Sequence, residues 1–107
     1  MIVDLHAHCF PALLAGRAEQ VPFYNGTVDG LMTVMDEAGI DRAVLQPIAT
    51  KPEQTAGVNR WILSLDDPRI ISFGTIHPET HGWEDELKGL VGAGIKGIKF
   101  HPNYQDF

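Results

Sequence analysis

Apolar and polar residues alternate at the start of the chain, where Val3, Leu5 and Ala7 are interleaved with Asp4, His6 and His8. Period-two alternation predicts a short strand over residues 2–8, ended by Phe10-Pro11. Residues 12–27 are mixed, with turn signals at Pro22, Asn25 and Gly26, and read as a long loop with one short helical turn around 12–18. Thr27 is a helix N-cap candidate. Leu31, Val34, Met35 and Ala38 follow at helical spacing, and Gly39 is the stop. Residues 42–48 read as the second strand, with Ala43-Val44-Leu45 at its centre. The next helix opens at Thr50 or Lys51-Pro52, carries Ala56, Asn59, Arg60 and Leu63, and closes at Asp67-Pro68. A third strand is predicted over 70–76, with His77-Pro78 just past its end. A third helix over 82–91 has Leu87, Leu90 and Val91 as its apolar stripe, with Gly92 and Gly94 as terminators. The fourth strand, 97–100, runs into His101-Pro102.

The predicted order is β-α-β-α-β-α-β, about four strands with three helices. Strands alternating with helices imply an α/β fold of parallel strands joined by right-handed crossovers. The pattern alone fits either a Rossmann-like sheet or part of a (β/α) barrel. No glycine-rich phosphate fingerprint follows the first strand, which argues against a dinucleotide site. The 107 residues make one domain by length. A complete eight-strand barrel typically takes about 250 residues.

Composition narrows the partners. The net charge is −6 and the eight Lys and Arg residues are scattered. This argues against nucleic acid or an anionic membrane as the main partner, because both need a positive field. Cys9 is the single cysteine, so no internal disulfide forms. That suits a reducing cytoplasm. The first residues lack the basic region and apolar run of a signal peptide, and no stretch approaches the roughly 18 apolar residues of a membrane span. A cytoplasmic protein acting on a small molecule is the expectation.

The predicted chemistry lies at strand ends: His6 and His8 on the first strand, His77 on the third, His101 on the fourth. In parallel α/β folds reactive groups gather at the carboxyl ends of strands. Alternate strand residues share a face, so His6 and His8, about 7 Å apart at Cα, can close on one divalent ion. Neutral imidazole suits zinc first, with manganese, iron and nickel as other candidates. Asp4, one step deeper on the same face, is placed to orient a ligand. The bland reading of the pair is two histidines in a surface turn that bind nothing. Lys99 and His101 share a face, and a lysine and a histidine turned inward are costly to bury without a role. They are the catalytic candidates, with His101 also a possible third ligand and Lys99 a holder of anionic substrate. Alternatively, Lys99 reaches past the strand end into solvent. His77 is a substrate-binding candidate whose direction the neighbouring Ile76 and Pro78 leave open. Cys9 has the opposite parity to the histidines and reads as a small buried side chain. Trp61 and Trp83 read as packing residues, and His81 as exposed.

Three segments resemble one known family. Asp4-Leu5-His6-Ala7-His8-Cys9-Phe10-Pro11 resembles the first-strand motif of the amidohydrolase superfamily, in its amidohydrolase-related branch of hydrolases and nonoxidative decarboxylases. Phe73-Gly74-Thr75-Ile76-His77-Pro78 is similar to the third-strand end of that branch, and Gly94-Ile95-Lys96-Gly97-Ile98-Lys99-Phe100-His101-Pro102 to its fourth-strand segment. The resemblance implies a (β/α) TIM-type barrel with a divalent metal at its mouth. It makes His6 and His8 metal ligands and puts Lys99 and His101 near metal or substrate. A metal-activated water would then attack a carbonyl-type substrate.

Family members also supply histidines from the fifth and sixth strands and an aspartate from the eighth. This chain covers only the first four, so residues 1–107 are expected to be the N-terminal half of such a barrel, with an open site and no hydrolase activity as a single copy. Open strand edges and an uncovered apolar face favour association of two or more copies. Two alternatives stand beside this reading. One is an inactive half-barrel that acts only through oligomerisation or weak metal binding. The other is a metal phosphoesterase of the PHP or TatD type, which also opens with a His-x-His strand.

Overall fold

The computed structural model describes residues 1–10 and 26–107. The short helical turn expected around 12–18 lies outside the described residues. The chain forms two compact units, Met1–Leu45 with Asp67–Ile71, and Gln46–Asp66 with Ser72–Phe107. The expected α/β alternation with parallel strands is present. Among the described residues no helix is long and apolar enough to cross a membrane.

A three-stranded sheet runs in the order β1 (Val3–Ala7), β2 (Arg42–Leu45), β3 (Ile70–Ser72), all of it within the first unit except Ser72. Ala43, Val44 and Leu45 are all buried, as expected of a central strand covered on both faces. Helix α1 (Val28–Ala38) begins where the Thr27 hydroxyl accepts the Gly30 N–H at 3.1 Å. It ends at Gly39, whose φ of 68° is the left-handed conformation that glycine adopts without strain. Leu31 and Met35, four residues apart, are its buried face. β1 and β2 are parallel, with Val3 opposite Arg42, Asp4 opposite Ala43 and Ala7 opposite Leu45. Three steps along β1 from Asp4 therefore oppose two along β2, so β1 carries an irregularity at Leu5-His6.

The second unit holds a 3-10 turn (Pro52–Gln54), α2 (Thr55–Leu63), β4 (Gly74–Thr75), α3 (Trp83–Gly92), β5 (Ile98–Lys99) and α4 (Pro102–Gln105). β4 and β5 are parallel, pairing Gly74 with Ile98 and Thr75 with Lys99. The strand expected over 70–76 is thus two strands: β3 belongs to the first sheet and β4 to the second, with Phe73 between them. The final turn α4 was not anticipated. It starts at His101, whose ring accepts the Tyr104 N–H, with Pro102 at the first helical position, where its missing N–H costs nothing. In α2 the buried residues are Thr55, Asn59 and Ile62, so of the residues expected along this helix, Ala56, Asn59, Arg60 and Leu63, Asn59 alone is buried, and Leu63 is 46% exposed. In α3 Leu90 is buried but Val91 is 64% exposed. Ala49, Ile62, Ile76 and Leu90 are the buried aliphatic residues of this unit.

Candidate functional site

The first unit brings the His6 and His8 rings together. Their Nε2 atoms are 2.9 Å apart and their ring centroids 4.7 Å, with the planes inclined at 65°. The register irregularity in β1 sits at this point. The residues that turn inward beside the pair are Ala7 and Cys9, both buried. Cys9 has the small buried side chain expected of it, with its Sγ 3.6 Å from the Thr27 carbonyl oxygen, to which the thiol donates. Asp4 accepts the backbone N–H of His6 at 2.9 Å. Its carboxylate therefore acts on the main chain that carries the pair, at the irregularity in β1.

Two nitrogens on one tetrahedral zinc, each about 2.0–2.1 Å from it, stand roughly 3.3 Å apart. The observed Nε2 separation of 2.9 Å is a few tenths of an ångström short of that. The residues therefore fit a shared divalent ion with a small opening of the rings. Within each unit, among the described residues, no group of three or more His, Cys, Asp or Glu side chains is gathered to hold a metal.

The second unit carries the other candidates on β4 and β5. Alternation along these strands puts Gly74, Ile76, Ile98 and Phe100 on one face. A Cβ added at Gly74 would stand 2.7 Å from Leu90 Cδ1, so this face meets α3 closely. The opposite face carries Phe73, Thr75 and His77 on one strand and Gly97, Lys99 and His101 on the next. The Phe73 ring occupies the space a side chain at Gly97 would need, since a Cβ there would stand 2.5 Å from it. The Thr75 hydroxyl donates to the Lys99 carbonyl at 3.2 Å and accepts the Ala49 N–H at 3.2 Å.

His77 and His101 lie at the ends of these strands, each two residues beyond the Thr75 to Lys99 pair. His77 is 5% exposed; His101 is half-buried. The direction of the His77 ring, open from sequence, is set by its Nδ1, which accepts the Glu79 N–H at 3.2 Å, while its backbone N–H donates to the Thr55 hydroxyl at 3.1 Å. His101 uses Nδ1 in the same way, accepting the Tyr104 N–H at 3.4 Å while its ring stacks on that of Tyr104. His81 is exposed, as expected, and Trp83 is 43% exposed on a groove also lined by Ile76, Leu87 and Phe100.

Two polar residues hold this region: Gln105, which was not singled out from sequence, and Asn59, which was placed on the second helix but given no role. Gln105 donates to the Ala49 and Ile76 carbonyls at 3.0 and 3.1 Å and accepts the His101 N–H at 2.8 Å. Asn59 brackets Thr75, donating to its carbonyl at 2.8 Å and accepting its N–H at 2.9 Å, and also donates to Glu86 at 2.8 Å. The one sequence signal for Gln105 is its place three residues after a His-Pro step that opens a helical turn.

No protein-family description and no curated protein matches the chain. Among solved structures it is similar to a probable 2-pyrone-4,6-dicarboxylic acid hydrolase from Acinetobacter baumannii, determined with citric acid bound, at a TM-score of 0.52 and 20% identity. The likeness covers 98% of this chain and 43% of that one, so the chain spans less than half the length of the protein it matches. At this identity the likeness is one of fold.

Proposed function

We propose that this chain forms the first part of a metal-dependent hydrolase of the amidohydrolase type, its strands making about half of a (β/α) barrel. The observation that carries the reading is the pair of imidazole nitrogens, His6 Nε2 and His8 Nε2, 2.9 Å apart at the end of β1. In this reading His6 and His8 hold one divalent ion, zinc first, and Asp4 braces the irregular stretch of β1 that presents them. The ion, when bound, would bring the pKa of a water towards about 7 and polarise a carbonyl oxygen. Lys99 and His101, on one face of β5, hold the acidic or carbonyl end of a small substrate. The fold likeness to a hydrolase of a dicarboxylic acid supports a carboxylate-bearing substrate.

Elemental analysis of the purified protein tests the metal. Loss of an outer hydrogen-bond partner typically lowers metal affinity 10–100-fold, so removing a ligand should cost at least about that. His6→Ala and His8→Ala should each abolish retention of zinc through gel filtration. Equal zinc in the wild type and the double variant would place the ion elsewhere and end this reading.

A second reading, association of copies through open edges, is favoured by the exposure of β1. Among the described residues it is an edge strand of its sheet, and its Val3 and Leu5 are 37% and 69% exposed.

A further inference from the structure

The four strand-end histidines use their nitrogens differently. His6 and His8 turn Nε2 toward each other. His77 and His101 commit Nδ1 to a backbone N–H, from Glu79 and Tyr104 respectively. A ring nitrogen that accepts an N–H carries no proton of its own, so the neutral ring carries its proton on Nε2. A histidine that binds a metal through Nε2 has the reverse arrangement, with Nδ1–H donated to a partner. Backbone geometry therefore sets His77 and His101 as Nε2–H donors.

The His77 donor has somewhere to act. The ring is 5% exposed, and nothing among the described residues accepts from its Nε2. No fully buried side-chain nitrogen or oxygen among them is left without a partner, so this nitrogen is not sealed from solvent. A buried ring with one open donor, braced at Nδ1, costs little to hold ready for a ligand. His101 lies at the matching place on the neighbouring chain segment, two residues past Lys99 as His77 is two past Thr75, where the paired part of the strands has ended and the Gln105 amide stands between the two backbones. Lys99, on the same face, supplies positive charge. The Gln105 side chain ties the Ile76 carbonyl to the His101 N–H, so the two strand ends keep their relation.

We propose that His77 and His101 form a two-donor anchor for a carboxylate of a small organic acid, each giving an Nε2–H to it, with His77 the main contact. The inference rests on the proposed hydrolase reading only in naming that acid as substrate; the donor assignment stands without a metal.

Two measurements on the whole chain test it. Long-range proton–nitrogen NMR of the metal-free protein, with His77→Gln and His101→Gln used for assignment, should show the proton of each neutral ring on Nε2. A proton on Nδ1 of His77 would overturn the proposal. Succinate titrated into the same sample should shift the His77 ring signals saturably. His77→Phe should weaken succinate about tenfold, the size of one hydrogen bond to a charged group. His77→Gln, whose amide nitrogen stands near the Nε2 position, should bind within about threefold of wild type. Unchanged ring signals, or equal binding by the phenylalanine variant, would refute the anchor, and wild-type NMR decides the matter even if that variant misfolds. Zinc added afterwards separates the two readings. If zinc fails to bind while succinate still shifts His77, the metal centre falls and the anchor stands. If zinc removes the His77 Nε2 proton, His77 is a ligand and the anchor falls.

Discussion

Asn59 takes the place of a neighbouring strand. Its amide meets both the N–H and the carbonyl of Thr75, a residue of a strand only two residues long, and all of these groups are buried. Asn59→Leu keeps the volume and removes the hydrogen bonds. Each buried backbone group left unpaired costs roughly 1–3 kcal/mol, so the variant should lose about 3 kcal/mol. The urea midpoint should fall with an unchanged slope. A loss below about 1 kcal/mol would mean that water or a neighbour takes over these groups. The same residue shows why part of the site escapes a reading of sequence. Thr55 and Asn59 are buried through hydrogen bonds, whereas polarity alone assigns them to the surface of α2. The His6 and His8 pair was legible because two-residue spacing on a strand is local. The irregularity beneath it depends on how β1 meets β2, which no local pattern encodes.

At the scale of elements, legibility follows how local the cause is. Helix α1 was readable at both ends, because a hydroxyl cap and a left-handed glycine are signals of a few residues. The division of residues 70–75 into β3 and β4 was not. The run Ile70-Ile71-Ser72-Phe73 carries no turn signal, and the break reflects a change of pairing from β2 to β5. The fit of β4 to α3 offers a test. Gly74 lies against Leu90, which is 1% exposed and has little room to yield, with Ile98 Cδ1 at 3.2 Å from the added Cβ. Gly74→Ala should therefore cost about 1–3 kcal/mol through overpacking, read as a lower melting temperature. Gly89→Ala on the same helix meets nothing within 4 Å and should be neutral or mildly stabilising. The reverse order of the two variants would contradict the packing described.

For the molecule as a whole, the exposed apolar side chains set the expectation. Leu5, Phe100, Phe107 and Val91 are between 48% and 69% exposed. With a net charge of −6, like-charge repulsion opposes indiscriminate aggregation but is weak against a matched apolar contact at physiological salt. Light scattering coupled to gel filtration should give a mass of two or more chains, and Leu5→Lys should shift it toward one. A single-chain mass for the wild type across micromolar concentrations would rule out association through β1. The surface ion pairs bear little on this balance. Arg69 with Asp36, at 2.6 Å, joins partly exposed side chains and contributes at most about 1 kcal/mol.

Gln105 has a consequence for the order in which the chain is made. It is the residue that fastens the Ala49 and Ile76 carbonyls and the His101 N–H, and it lies 56 positions after the first of them. During synthesis at about 5–20 residues per second, every element of the second unit from the 3-10 turn to β5 leaves the ribosome before its fastener does. For those few seconds the carbonyls of residues 49 and 76 have water, or a chaperone, in place of the glutamine amide. The bridge from the Ile76 carbonyl to the His101 N–H forms only once α4 has closed.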